Sequence, residues 1–266
     1  VIRVRAGRGE AVEDRLTGEE PLEIRAAGPG QDPVAVAVTM RTPGGEDELA
    51  AGFLRTEGLI DGRADIAGFE RGNPAHDAQP DDTIVVHLNG QFDRALVAER
   101  HFVATASCGI CGKASIDEVV IRSAPIPAGP RVDADLLTAL PDRLREAQDV
   151  FAATGGLHAA AVFAPAGELL AVREDVGRHN ALDKLIGSRL LAGELPLHER
   201  IVLLSGRIGF ELVQKAAVAG VPVVCAIGAP SDLAVEAGER LGVTLIGFLR
   251  GDAFTVYAHP ERVAVV

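Results

Sequence analysis

Apolar and polar residues alternate with a period of two over residues 21–25, which predicts a half-buried strand, and the valine-rich, almost wholly apolar run over 34–40 predicts a second. The turn-forming stretch 28–32 joins them as a hairpin. Residues 46–56 carry Leu49, Phe53 and Leu54 at helical spacing, with acids in the first turn where the helix dipole favours them. Residues 84–88 and 94–97 predict two more strands around Asn89-Gly90, a common hairpin turn. Residues 1–20, charged and Gly-rich, are expected to be a loose or edge segment, and 61–82 an exposed connection. Residues 133–150 predict one helix, with Leu136, Leu137, Leu140, Leu144 and Ala147 on one face.

From Thr154 onward the pattern changes. Strands are predicted at 158–164, 169–173, 201–205, 221–227, 243–249 and 254–257, and helices at 180–191, 210–219 and 231–241. This alternation argues for βαβ units and a largely parallel sheet packed between helices. Three prolines within 124–130 mark a linker. The expected fold class is therefore α/β, with a smaller mixed α+β region over 1–130 and an α/β domain over 131–266.

The 266 residues, 47% hydrophobic and 24% charged, fit a globular chain with a sizeable core. A net charge of −12 argues against a general nucleic-acid binder, although a local basic pocket can still hold a phosphate. Three cysteines, an odd number, do not suggest a disulfide scaffold, so a cytoplasmic setting is expected. No signal-peptide pattern is seen, and the apolar runs are too short to span a bilayer, so no membrane partner is expected.

Two of those cysteines lie together in Ser107-Cys108-Gly109-Ile110-Cys111-Gly112-Lys113. Thiolate is the reactive form, and nearby cations and helix starts favour it. The glycines give a large partner close access to the backbone. Three chemistries fit the pair. A zinc knuckle needs four ligands and no second pair exists, so it would have to form between two subunits. A thioredoxin-like dithiol needs a βαβ context. A sulfur carrier needs one exposed nucleophilic cysteine that holds a persulfide. The plain alternative is a pair of unreactive structural cysteines. Cys225, inside Val223-Val224-Cys225-Ala226-Ile227, is expected to be buried packing.

Four strand ends in the second half carry polar or basic residues. Arg178 and His179 could meet phosphates, and Asn180 or Asp183 could read a base or cap the helix. Ser205-Gly206-Arg207 ends a strand before a helix, where backbone N–H groups take anions. Thr154-Gly155-Gly156-Leu157-His158 is a loop before a strand with freedom for close backbone approach, whose lone His158 is a catalytic candidate against the commoner structural role of a single histidine, and Phe248-Leu249-Arg250-Gly251-Asp252 is the last such strand end. The plain alternative for each is an ordinary βα turn or a solvated helix start.

Taken together, these segments resemble the formate dehydrogenase accessory sulfurtransferase family. The stretches that carry the likeness are 20–24, Thr39-Met40-Arg41-Thr42-Pro43-Gly44 with Glu48-Leu49-Ala50-Ala51-Gly52-Phe53-Leu54, and 107–116. Further on come 154–158, 173–184, Ser205-Gly206-Arg207, Phe210-Glu211-Leu212-Val213-Gln214-Lys215 and Gly247-Phe248. The resemblance implies a cytoplasmic homodimer that accepts persulfide sulfur from a cysteine desulfurase. It implies delivery to the molybdenum of the bis(molybdopterin guanine dinucleotide) cofactor of formate dehydrogenase. Cys108 would bear the persulfide and Cys111 would assist. The family's cofactor-binding strand end falls on Phe248, Leu249, Arg250, Gly251, Asp252 and Ala253, the last standing where the family often has a basic residue. A guanine nucleotide is expected to mimic the client cofactor, and no metal of the protein's own is expected. The family's larger domain resembles the cytidine deaminase fold, but the deaminase zinc signature is absent, so deamination is not expected. A non-catalytic chaperone that holds and inserts the cofactor is the rival reading.

Overall fold

The computed structural model describes residues 1–72, 80–98, 125–126 and 129–265. Two sheets organise them. The first has four strands in the order β4-β3-β6-β5, with β3 at Glu20–Ala27, β4 at Val34–Arg41, β5 at Ile66–Arg71 and β6 at Thr83–Leu88. Helix α1, Glu46–Thr56, covers one face. Its Leu49 and Leu54 pack on Leu22, Ile24, Ile84 and Val86. Ahead of this sheet, β1 (Ile2–Arg5) and β2 (Arg8–Ala11) pair as an exposed hairpin, where only a loose or edge segment is expected.

The second sheet has six strands in the order β13-β12-β11-β10-β8-β9. After the short β7 (Val132–Asp133), these are β8 (His158–Phe163), β9 (Leu169–Asp175), β10 (Ile201–Leu204), β11 (Val223–Ala226), β12 (Thr244–Arg250) and β13 (Ala253–Ala258). Alternate residues point to opposite faces, as the two-residue period of a strand requires. Val202, Leu204, Val224 and Leu245 meet the helices α5 (Arg178–Leu191), α6 (Phe210–Val218) and α7 (Asp232–Leu241). Ile201, Leu203, Val223 and Ile246 face helix α3 (Ala134–Glu146) through its Leu137, Leu140 and Leu144. Ser231 caps α7, its Oγ accepting from the Ala234 N–H at 3.2 Å.

The two halves meet where α1 crosses α5. The crossing is so close that a Cβ on Gly187 would stand 1.8 Å from the Glu48 carbonyl oxygen, and one on Gly52 1.9 Å from that of Asp183. Helix α5 serves both cores, since its Leu182, Leu185 and Ile186 join the large sheet while Leu190 joins the core of the four-stranded one.

Several expectations are corrected. The large sheet is mixed, with parallel pairing only at β10–β11 and β11–β12, because β8 and β13 run against all their neighbours. The connection 61–82 contains β5, hidden in the sequence by a register shift at Gly68. Residues 94–97 are not a strand but the approach to the short helix α2, Ala95–Ala98, whose Ala95 N–H donates to Asp93 Oδ1 at 2.9 Å. Asn89-Gly90 therefore turns no hairpin; the Asn89 side chain donates to the Ala64 oxygen at 2.6 Å. The long helix predicted at 133–150 breaks after Glu146, and α4 (Asp149–Thr154) follows. In the expected linker, Ile126 is buried and its N–H donates to the Leu241 oxygen at 2.9 Å, so the segment is tethered there. Among the described residues, no helix is long and apolar enough to cross a membrane.

Candidate functional site

Strands β9, β10, β11 and β12 all run in one direction, since β8 is antiparallel to both β9 and β10. Their C-terminal ends share one edge of the sheet. Helices α5, α6 and α7 follow β9, β10 and β11 and start there. Ligands of open α/β sheets sit outside such strand ends. Helix starts add N–H groups without intrahelical partners and the positive end of the dipole. From β9 to β12 the edge crosses four strand spacings, ~19 Å in all.

The edge gathers Arg178, His179 and Asn180 at the start of α5, Ser205 and Arg207 after β10, and residues 248–253 at the β12–β13 turn. Backbone bonds tie its turns together. The Gly228 N–H donates to the Gly206 oxygen at 3.1 Å, and the Phe248 N–H to the Gly228 oxygen at 3.0 Å. A Cβ on Gly228 would lie 2.8 Å from the Gly206 oxygen, so glycine is what lets these turns close. Phe248 holds a φ of 54°, a left-handed conformation that is costly for a bulky residue and clusters at ligand sites. The residue is 39% exposed, with the Arg250 guanidinium carbon 5.8 Å from the ring centroid. An exposed ring beside a cation offers a flat ligand both stacking and charge.

Other residues of the edge turn inward. Ser205 Oγ accepts from the Ala159 N–H at 2.8 Å, and Leu249 is fully buried. Asn180 Nδ2 donates to the Met40 oxygen at 2.8 Å and to Asp175 Oδ1 at 3.2 Å, while its Oδ1 accepts from Thr39 Oγ1 at 3.2 Å. Asn180 thus fastens α5 to β4. The sequence offers Asp183 as a base reader or helix cap, and this is corrected: Gly177 is the N-cap, and Asp183 is buried away from the edge. Beside the β9 end a cleft of about 440 Å³ opens against the β4–α1 turn. Its cations are already paired, Arg173 with both oxygens of Glu48 at 2.5 Å and Lys184 with Asp175 at 2.7 Å.

Beneath the edge lies a buried polar cluster that sequence reasoning missed. Lys215 Nζ of α6 donates to Asp183 Oδ2 at 2.9 Å, Thr56 Oγ1 at 2.9 Å and Glu57 Oε1 at 3.1 Å. Burial opposes the charge on Lys215, but the carboxylates of Asp183 and Glu57 prevail and hold its pKa above the usual lysine value. His179 stands between this cluster and the edge, its Nε2 3.2 Å from Glu211 Oε2. Burial first, then Lys215 and Arg178, push its pKa down to about 3. The ring is therefore uncharged at neutral pH, and the contact with Glu211 is not an ion pair there. Burial first and Arg178 second also lower the pKa of His158, against Asp175.

A pH dependence follows from His179. Its folded pKa lies below the unfolded value of ~6.5, so the unfolded chain binds the extra proton. Its contribution is whole above that value and is lost as the pH falls toward about 3. Urea unfolding at pH 7, 5 and 4 is expected to show a shallower acid loss in His179→Gln than in the parent. Equal slopes would reject this.

Cys108 and Cys111 lie outside the described residues. Cys225 is fully buried on the α3 face of the sheet, and burial pushes its thiol pKa up, so it is unsuited to sulfur chemistry. Among the described residues, no group of three or more His, Cys, Asp or Glu side chains is placed to hold a metal.

The model of the FdhD/NarQ family matches residues 17–264. The chain belongs to the FdhD/NarQ family. It is 47% identical over 271 residues to the Sulfur carrier protein FdhD of Streptomyces coelicolor, which spans 100% of this chain and 94% of the relative. The protein of the same name from Sulfurisphaera tokodaii is 45% identical over 255 residues, covering 96% of this chain and 94% of the relative. The fold is shared with the crystal structure of a proposed formate dehydrogenase accessory protein from Desulfotalea psychrophila. That match has a TM-score of 0.75 at 23% identity and covers 99% of this chain and 97% of that one. The mixed α/β architecture is thus that of this FdhD/NarQ chain and of its structural neighbour.

Proposed function

We propose that this protein is a sulfur carrier that serves formate dehydrogenase, taking sulfur from a cysteine desulfurase and passing it to the molybdenum of a bis(molybdopterin guanine dinucleotide) cofactor. The observation that carries the reading is the edge itself. In a chain of net charge −12, it gathers Arg178, Arg207 and Arg250 beside three helix starts and an exposed Phe248. Such an edge suits a long, multiply anionic ligand with flat rings. The relatives named Sulfur carrier protein FdhD support the sulfur role.

In the first step the Cys108 thiolate attacks the terminal sulfur of the desulfurase persulfide. A new S–S bond forms on Cys108, the donor's S–S bond breaks, and the donor cysteine leaves as a thiolate, so no outside oxidant is needed. Lys113 supports the thiolate and Cys111 assists the onward transfer. The working protein is read as a cytoplasmic homodimer, with a break near residue 130 and a deaminase-like fold in its second half. The edge orients the client cofactor; Arg178, Arg207 and Arg250 hold its phosphates.

Incubation with a cysteine desulfurase and cysteine, followed by peptide mass spectrometry, tests this. One extra sulfur, labile to a reducing thiol, is expected on the Cys108 peptide, and Cys108→Ala is expected to lose it while melting as the parent does. Full transfer by Cys108→Ala would sink the assignment. No added sulfur with an active desulfurase would leave a cofactor-holding chaperone as the better reading.

A further inference from the structure

Strand β8 is the one strand between β9 and β10, and it runs against both. Its first residue, His158, therefore reaches the edge where the two neighbours end. It lies opposite Asp175 in the β8–β9 register, with the Gly206 turn on its other side. The ring sits against that turn: a Cβ on Gly206 would come within 3.1 Å of His158 Nδ1 and 3.3 Å of Cε1. The bare glycine makes room for the imidazole. The ring is half-buried, yet among the described residues neither of its nitrogens has a hydrogen-bond partner. Neither nitrogen is among the side-chain atoms sealed from solvent without a partner, so the ring is open to the edge. Other edge residues of this kind, Ser205 and Asn180, have theirs within the protein.

We infer that His158 is a ligand-contacting residue of the edge, and that it takes the nucleoside end of a guanine nucleotide. This rests on reading the edge as the seat of a nucleotide-bearing cofactor. The division of labour follows from chemistry. Arg178 and Arg207 are permanent cations that match phosphate oxygens. An uncharged imidazole presents one N–H and one lone pair, which complements a sugar hydroxyl or base edge that both donates and accepts. A phosphate, which only accepts, would use half of it. Burial and the nearby Arg178 keep the ring uncharged at neutral pH, in agreement with that role.

Calorimetric titration with GDP and with inorganic pyrophosphate separates these contacts. For His158→Ala, GDP affinity is expected to fall about tenfold, the size of one well-made hydrogen bond, while pyrophosphate affinity stays at the parent value. His158→Gln, which keeps a donor and an acceptor, is expected to recover part of the loss. Arg207→Ala is expected to weaken both ligands. Should His158→Ala unfold, Gly206→Ala, which displaces the ring, is expected to give the same GDP-selective loss. Parent-like GDP binding in the folded His158 and Gly206 variants, or an equal loss for pyrophosphate, overturns the inference alone. Failure of the parent protein to bind either ligand overturns the reading of the edge, and this inference with it.

Discussion

Gly187→Ala is expected to destabilise the protein by about 3 kcal/mol, the upper end of ordinary overpacking costs. By helix propensity alone the change should stabilise it by ~1 kcal/mol. The sign reverses because the new methyl group would lie 1.8 Å from the Glu48 carbonyl oxygen and 2.8 Å from the Gly52 nitrogen. Both are backbone atoms, so no side chain can rotate away. Helices α1 and α5 must separate, and Leu190 is drawn out of the core it shares with Leu49 and Leu54. A melting temperature lower by roughly 6–12 °C is the expected readout for a domain of this size. Gly52→Ala should behave alike, since its methyl group would meet Asp183 at 1.9 Å. A melting temperature equal to or above the parent's for either variant would mean that the crossing is looser than described.

Lys215→Met is expected to cost about 3–5 kcal/mol, the range for removing one partner of a buried ion pair. The methionine fills much of the same space, and the loss is electrostatic. Asp183 and Glu57 keep their places without the ammonium that lies 2.9 and 3.1 Å from them. In the parent, the Lys215 pKa is raised, so its contribution is complete below the unfolded lysine value of ~10.4 and is lost only in alkali. Burial first, and Glu57, already raise the Asp183 pKa above the unfolded ~3.9 against the pull of Lys215 and Thr56, and in the variant it rises further because the Lys215 charge is gone. The folded state then gains a proton that the unfolded chain does not hold, so the deficit relative to the parent should narrow from pH 8 to pH 5. Chemical unfolding across that range measures it. A deficit that is small, or constant with pH, would show that the carboxylates find other partners.

Much of this architecture can be read in the sequence because it follows from local periodicity. The strands of the second half and the helices α6 and α7 alternate as predicted, and Ser231 marks a helix start by its side-chain chemistry. What fails is decided at a distance. Gly68 breaks the pattern of β5, which the register shift against β6 repairs. Asn89-Gly90 has the composition of a hairpin turn, but Asn89 is claimed by the Ala64 oxygen. At the site, the arginines and Phe248 announce themselves at strand ends. Lys215 does not: four residues after Glu211 on a helix, it reads as half of a surface pair, and only the arrival of α1 and α5 buries it. A signal for the crossing was present in Gly52 and Gly187, isolated glycines inside helical patterns, which often mark close packing.

The double service of α5 also bears on the order of synthesis. The four-stranded sheet and α1 are complete by Leu88, but Leu190, which closes their core, is encoded about a hundred residues later. At translation rates of about 5–20 residues per second, the nascent chain waits roughly 5–20 s with that surface open to water. Contacts so distant along the chain also slow folding. The first half of the polypeptide is therefore expected to mature in step with the second half rather than ahead of it.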